Sequence, residues 1–363
     1  MMTEERIWPD IAIPPGETLA ETLEAMGISQ AELARRTGRP VQAISEIIQG
    51  KKEITPETAL ALECVLGVPA HVWIGLEADY RTVKARLADR ERLKAEASLV
   101  EQFPYKEMAK HGWVPSVSDV IDRVRALLRF FGVASLRHVP ALDSAIAWRK
   151  SQSVAASPGA LAAWLRQGEI VAQQVETAPF DAPGLIEMLP TLRSFTRESP
   201  KVFLPKLEKV LAQRGAALVL VQELPKTSAH GATQWLGAKA IVQLSIRYRW
   251  ADIFWFTLFH ELGHILRHGR KELFIESHQD GEDEREREAD TFATRHLIPE
   301  LAYKTFTSGR TIVSTAAVEA FADEIGVHPG IVVGRLHHDK KVPPSHLNGL
   351  RVQYRWAEET KEA

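Results

Sequence analysis

The chain has one cysteine, Cys64, in 363 residues. An internal disulfide is therefore excluded, and a reducing cytosol is the expected compartment. No basic region followed by an apolar run opens the sequence, so no signal peptide is read. The longest apolar stretch, Ile253 to Phe259, is far too short to span a bilayer, and no membrane partner is expected. An excess of one charge is missing too: 45 Lys and Arg face 47 Asp and Glu, for a net charge of −2. Nothing global forces a nucleic-acid or membrane partner, so any such role must come from a local patch. What is present is length and apolar content, 45% hydrophobic, enough for two or three domains with ample cores.

The most informative stretch is Phe259-His260-Glu261-Leu262-Gly263-His264-Ile265-Leu266. Asp252 is a candidate N-cap for a helix through Phe254, Trp255, Leu258 and Leu262, with Gly269 at its end. On a helix, residues four apart lie one above the other, so His260 and His264 present two imidazoles to one metal. Glu261 lies a step round the same surface, where a general base belongs if water is to be activated beside the metal. The bland alternative is a buried helix with two satisfied histidines. So polar a trio on an otherwise apolar helix would be costly to bury without a partner.

A third ligand is legible downstream. Ala289, Phe292, Ala293, His296 and Leu297 recur at helical spacing and should face the core. Glu286 lies close to that stripe and beneath Asp290. Glu286 is therefore the expected third ligand, and Asp290 the acceptor for a ligating His N–H. Glu282, Glu284, Arg285, Arg287 and Glu288 read as a solvated charged face.

His260-Glu261-Leu262-Gly263-His264, then Glu286, Ala289-Asp290, Phe292-Ala293 and Leu297-Ile298-Pro299, resemble the ImmA/IrrE family of zinc-dependent endopeptidases over roughly residues 200–300. The resemblance implies a compact zincin-like fold, Zn2+ held by two His and a Glu, and action on DNA-binding repressors.

Toward the N-terminus, Pro14-Pro15-Gly16 starts a helix that Gly27 closes, and Ser29 caps a second with Glu32 at the capping-box position. Gly38 breaks the chain, Pro40 opens a third helix that Gly50 ends, and Thr55-Pro56 starts a fourth. Short helices joined by a glycine turn are a helix-turn-helix arrangement. Ile28-Ser29-Gln30 to Ile47-Ile48-Gln49-Gly50-Lys51-Lys52 resembles the antitoxin repressors of the HigA type, within the XRE-like regulators. The third helix would then read bases through Arg39, Gln42 and Ser45, with Gln30, Arg36, Lys51 and Lys52 on phosphates. A four-helix bundle that binds protein is the competing reading. Residues 1–78 carry twelve acids against six bases, yet five of the six bases cluster near the reading edge.

Residues 79–100 hold six basic and four acidic side chains without Gly or Pro, and read as an exposed connecting helix. Helical pieces broken by prolines follow to Pro200, and here Leu128, Phe130-Phe131-Gly132-Val133, Trp148 and Trp164 continue the likeness to long HigA-type chains. Strands are expected at 217–223 and 239–245, beside the metal helix, where an extended peptide can add to a sheet edge. Tyr248 is a candidate oxyanion donor or a structural tyrosine, and His230 reads as a surface histidine. Phe321-Ala322-Asp323-Glu324-Ile325-Gly326 echoes Leu33 to Gly38, but its acids would repel phosphate, so it reads as a packing unit. His328, His337, His338 and His346 match no ligand spacing.

The expected architecture is mostly α with a small β-sheet. It comprises a helix-turn-helix domain (1–78), a helical linker (79–134), a helical support region (135–200), a zincin-like core (201–300) and a closing helical segment (301–363). The expected function is a cytoplasmic, homodimeric regulator or antitoxin that binds operator DNA and carries a zinc endopeptidase acting on a repressor or toxin-related protein. The alternative is a non-proteolytic regulator whose zinc-type domain senses or binds a partner.

Overall fold

The structure, a computed structural model, describes residues 11–139, 157–227, 229–268, 274–275, 284–308 and 313–356. Trp148, Gly269 and Glu282 lie outside the described residues. The chain divides into two compact units at Ala97/Ser98. No helix among the described residues is long and apolar enough to cross a membrane.

The first unit holds α1 (Pro15–Met26), α2 (Gln30–Thr37), α3 (Val41–Ile48), α4 (Pro56–Leu66) and α5 (Ala70–Glu96). The local signals act as expected. Gly27 and Gly38 end α1 and α2 at φ of +64° and +65°, where a side chain would be strained. Ser29 accepts the Glu32 N–H at 3.2 Å, and Thr55 accepts the Thr58 N–H. Leu19, Leu23, Leu33, Ile44, Ile47, Leu62 and Trp73 close one core. A Cβ on Gly16 would lie 2.2 Å from the Ile47 carbonyl, so this glycine lets α1 sit on the backbone at the end of α3.

The boundary expected at residue 78 falls inside α5, which continues to Glu96. Composition changes there but the helix does not, because α5 carries anchors back to the first unit on both sides of that point. Glu77, buried, accepts the Ile54 N–H at 3.0 Å, and Arg81 pairs with both Glu77 and Glu53.

The second unit is built on a four-stranded sheet ordered β1 (Ala216–Leu220), β3 (Lys239–Leu244), β2 (Gly231–Leu236) and β4 (Phe274–Ile275). β1 runs parallel to β3, and β2 and β3 form a hairpin across a two-residue loop opened by Gly237 at φ +61°. Helices α6 (Tyr105–Lys110) and α7 (Val120–Phe131) precede the sheet, as do α8 (Pro158–Gln174), α9 (Ala182–Ser194) and α10 (Pro200–Gln213). Then come α11 (Ala251–Arg267), α12 (Glu284–Leu297), α13 (Glu300–Thr307), α14 (Thr315–Ile325) and α15 (Pro329–His338).

Both sheet faces are covered, so β1 and the middle of β3 read as apolar runs rather than alternations. Ala217, Val219, Ala232 and Ile241 pack on α8 through Leu161, Trp164 and Leu165. The support helix is tied in by polar bonds as well: Trp164 donates to the Val221 carbonyl, and Gln243 donates to the Trp164 carbonyl. Leu218, Val242 and Leu244 join the opposite core with α11. The echo in the C-terminal segment is a real helix pair, α14 and α15 around Gly326 at φ +71°. It is a packing unit, since Ile331, Val332, Val333 and Leu336 of α15 are buried in the core that α11 shares.

Candidate metal centre

α11 begins differently from the expected cap. Trp250, in an extended conformation, holds the cap position and makes no side-chain cap bond. Asp252 is the second residue of the helix, and Arg351 donates to both its oxygens at 3.0 and 2.7 Å. A carboxylate this buried needs a charged partner more than the helix needs a cap worth about 1 kcal/mol.

Further along, His260 and His264 stand one turn apart with their Nε2 atoms separated by 2.9 Å. Glu286 comes in from α12, with Oε2 at 3.1 Å from His260 Nε2 and Oε1 at 3.4 Å from His264 Nε2. One ligand atom from each of the three lies within 4.8 Å of the others. Asp290 Oδ1 stands 2.9 Å from His260 Nδ1. With an ion held on its Nε2 side, His260 would carry its proton on Nδ1 and give it to the Asp290 carboxylate, which only accepts.

Burial lowers the pKa of His264 and so favours the neutral imidazole, the form a metal ligand requires. Burial alone would raise the Glu286 pKa, but the proximity of His260 and His264 outweighs it and holds it at about 2. Two imidazoles and an ionised carboxylate form a donor set that could hold a metal ion.

Glu286 is brought there by a close helix crossing. A Cβ on Gly263 would lie 3.2 Å from Ala289 Cα and 3.2 Å from Phe292 Cδ1. With Ala289 fully buried opposite it, the crossing leaves room for nothing larger. The sequence held a signal for this, because glycine inside a helix costs about 1 kcal/mol relative to alanine and needs a packing reason.

Glu261, also fully buried, turns toward the sheet. Thr233 donates to its Oε2 at 2.5 Å, and a Cβ on Gly231 would lie 2.4 Å from its Oε1. Period-two alternation puts Gly231 and Thr233 on one face of β2, while Ala232 packs on the α8 side. Strand β2 was not legible, since Gly-Ala-Thr-Gln has little β-branched or aromatic content. Its small residues are there because α11 lies over them. Its outer edge pairs with β4 at Ala232 and Thr233, so that edge is not open for an added strand at those positions.

His230 is buried, contrary to the surface reading, and stacks on Tyr248 with ring centroids 4.8 Å apart. These two line a small pocket with Ser245 and Thr257, one turn before Glu261. Glu288 is exposed, as expected, and also reaches inward: its Oε2 lies 3.1 Å from His268 Nε2, and His268 Nδ1 lies 3.0 Å from His264 Nδ1. Of the C-terminal histidines, His328 is half-buried and caps α15 by accepting the Gly330 N–H. His337 contacts the His346 carbonyl at 2.8 Å.

In the first unit, Gln30, Arg36, Gln42, Lys51 and Lys52 are exposed, while Arg39 and Ser45 are half-buried. Gln42 donates to Glu46, and Gln49 donates to Ser45. Glu32 does not complete a capping box. It bonds Arg35 and Arg36 instead, and the Arg35 hydrogen bond leads in holding its carboxyl at about 2.

Residues 19–73 match the helix-turn-helix family, and residues 252–337 match the IrrE N-terminal-like domain of the M78 peptidases. The uncharacterized HTH-type transcriptional regulator YddM of Escherichia coli (strain K12) is 30% identical over 81 residues, 22% of this chain and 86% of that protein. The chain belongs to the helix-turn-helix regulators. Two solved structures are also similar to this regulator. An addiction module antidote protein of the HigA family from Coxiella burnetii is 30% identical, over 23% of the regulator and 94% of that chain, with a TM-score of 0.22. The Pseudomonas aeruginosa antitoxin HigA, solved with the higBA promoter, is 28% identical over 24% and 95%, with a TM-score of 0.23. The second match gives the regulator a domain of metallopeptidase type, and it spans His260, His264, Glu286 and Glu261.

Proposed function

We propose that the chain is a DNA-binding regulator of the antitoxin type whose second unit is a zinc-dependent endopeptidase acting on a repressor or toxin-related protein. The observation that carries the peptidase reading is the convergence of His260, His264 and Glu286, next to a buried Glu261 one residue from the first ligand. His260, His264 and Glu286 would hold Zn2+, and Asp290 fixes the His260 tautomer. Zinc, when bound, supplies a Lewis acid that polarises the scissile carbonyl. Glu261 takes the proton of the attacking water and passes it to the leaving amine. Thr233 holds the Glu261 carboxylate, and the cover of α8 on the far sheet face keeps β2 in place beneath it. In the first unit, Arg39, Gln42 and Ser45 read bases, while Gln30, Arg36, Lys51 and Lys52 hold phosphates of an operator bound by a homodimer.

A second reading, a non-proteolytic regulator that uses the metal domain to bind a partner, is favoured by one feature. The Glu261 carboxylate is fully buried and already hydrogen-bonded by Thr233. A survey of protein N-termini in cells producing the wild type or Glu261→Gln separates the two. The peptidase reading expects new N-termini that vanish in Glu261→Gln. Identical termini in both strains would leave the partner-binding reading.

A further inference from the structure

His264 is held by a line of two further residues. His264 Nδ1 lies 3.0 Å from His268 Nδ1, and His268 Nε2 lies 3.1 Å from Glu288 Oε2. His268 keeps 8% of its side-chain surface exposed, whereas Glu288 keeps 56%. The line therefore starts at the surface and ends on a completely buried ligand.

The chemistry of each member sets the direction of the whole line. A carboxylate accepts and cannot donate, so His268 must carry a proton on Nε2. Neutral imidazole has one N–H, so His268 Nδ1 then offers a lone pair. That lone pair can take the proton of His264 Nδ1, which frees the His264 Nε2 lone pair for an ion held with Glu286 and His260. Asp290 imposes the same outcome on His260 in a single step.

We propose that His268 and Glu288 are positioning residues for the metal centre, fixing His264 as the Nδ1–H tautomer so that Nε2 is ready to bind the ion. This rests on the zinc reading above. His268 suits the role because it is the C-cap of α11, four residues beyond His264, and its backbone N–H donates to the His264 carbonyl at 2.9 Å. Glu288 opens the second turn of α12, two residues from Glu286, so one helix end supplies both a ligand and the terminus of the line. Both groups are reached by packing between helices, not by a ligand spacing in the sequence.

Two measurements on the full chain test this. The first is zinc affinity by competition with a chromophoric chelator for wild type, His268→Ala, Glu288→Ala, the double variant and Glu284→Gln. We expect His268→Ala to weaken binding about 10- to 100-fold, with a smaller loss for Glu288→Ala. The double variant should be no worse than His268→Ala, because the two act through one line. Glu284→Gln should match the wild type. The second is the imidazole nitrogen spectrum of the metal-free protein, with His264 assigned by substitution. His264 should show the Nδ1–H form in the wild type and shift toward Nε2–H in His268→Ala, an effect that a general packing defect would not give. Zinc in the wild type with unchanged affinity in His268→Ala, or an Nε2–H form of His264 in the metal-free wild type, overturns the proposal. No zinc in the wild type would instead defeat the zinc reading, and the spectrum would still decide the tautomer.

Discussion

Gly263 is the point where helix packing and metal binding can be separated by one substitution. Replacing it with alanine adds a Cβ 3.2 Å from Ala289 Cα and from Phe292 Cδ1, and 3.3 Å from Phe292 Cβ. Those atoms must yield by a few tenths of an ångström. Helix propensity rewards alanine by about 1 kcal/mol, while overpacking costs about 1–3 kcal/mol, so the metal-free protein should lose no more than about 2 kcal/mol. Metal binding has less tolerance. Glu286 sits one turn before Ala289 on α12, and ligand distances hold only within about 0.2 Å of their proper values. The same displacement should therefore weaken zinc about tenfold or more, equivalent to 1.4 kcal/mol or more. Gly263→Val, with two further methyl groups, should weaken it much further. The assays are urea unfolding of the metal-free proteins and chelator competition for zinc. Folded Gly263→Ala and Gly263→Val proteins that bind zinc as tightly as the wild type would refute the idea that this crossing places Glu286.

Other outcomes follow from the same contacts. Glu261→Gln should keep its zinc and lose about 10²- to 10⁴-fold in proteolysis, measured once a cleaved protein is in hand. Arg351→Met leaves the buried Asp252 carboxylate without its bidentate donor and should cost about 3–5 kcal/mol in urea unfolding. Burial pushes the Tyr354 phenol up to about 12, so its neutral form is favoured in the folded state. The stability this gives is complete below the ordinary value of 10 and lost as pH rises through about 12. Tyr354→Phe should flatten that alkaline limb in unfolding measured from pH 9 to 12. In the first unit, Lys51→Ala should lower the slope of log affinity against log salt by about one for an operator duplex, whereas Gln42→Ala should relax base preference and leave the slope unchanged.

Much of the site was legible because it is written in local periodicity. The four-residue spacing of His260 and His264, and the angular position of Glu286 and Asp290 on an amphipathic helix, required no tertiary information. The same holds for Gly27, Ser29, Gly38 and Thr55, whose cap chemistry is local. What the sequence hid depends on residues distant along the chain. Asp252 looks like a cap until Arg351, 99 residues later, claims it. Thr233 and Gly231 gain their meaning only from α11 lying over β2, and Glu288 is indistinguishable from its charged neighbours until His268 meets it. The domain boundary expected at residue 78 lies further on, at Ala97/Ser98, for a similar reason: charge composition changes at 78, but Glu77 and Arg81 tie α5 to one body across it.

The central claim is that His260, His264 and Glu286 form a zinc centre, and elemental analysis of the purified chain tests it most directly. The account predicts one zinc per chain in the wild type and a loss of zinc in Glu286→Gln. A wild-type protein that takes up no zinc even after reconstitution would contradict it.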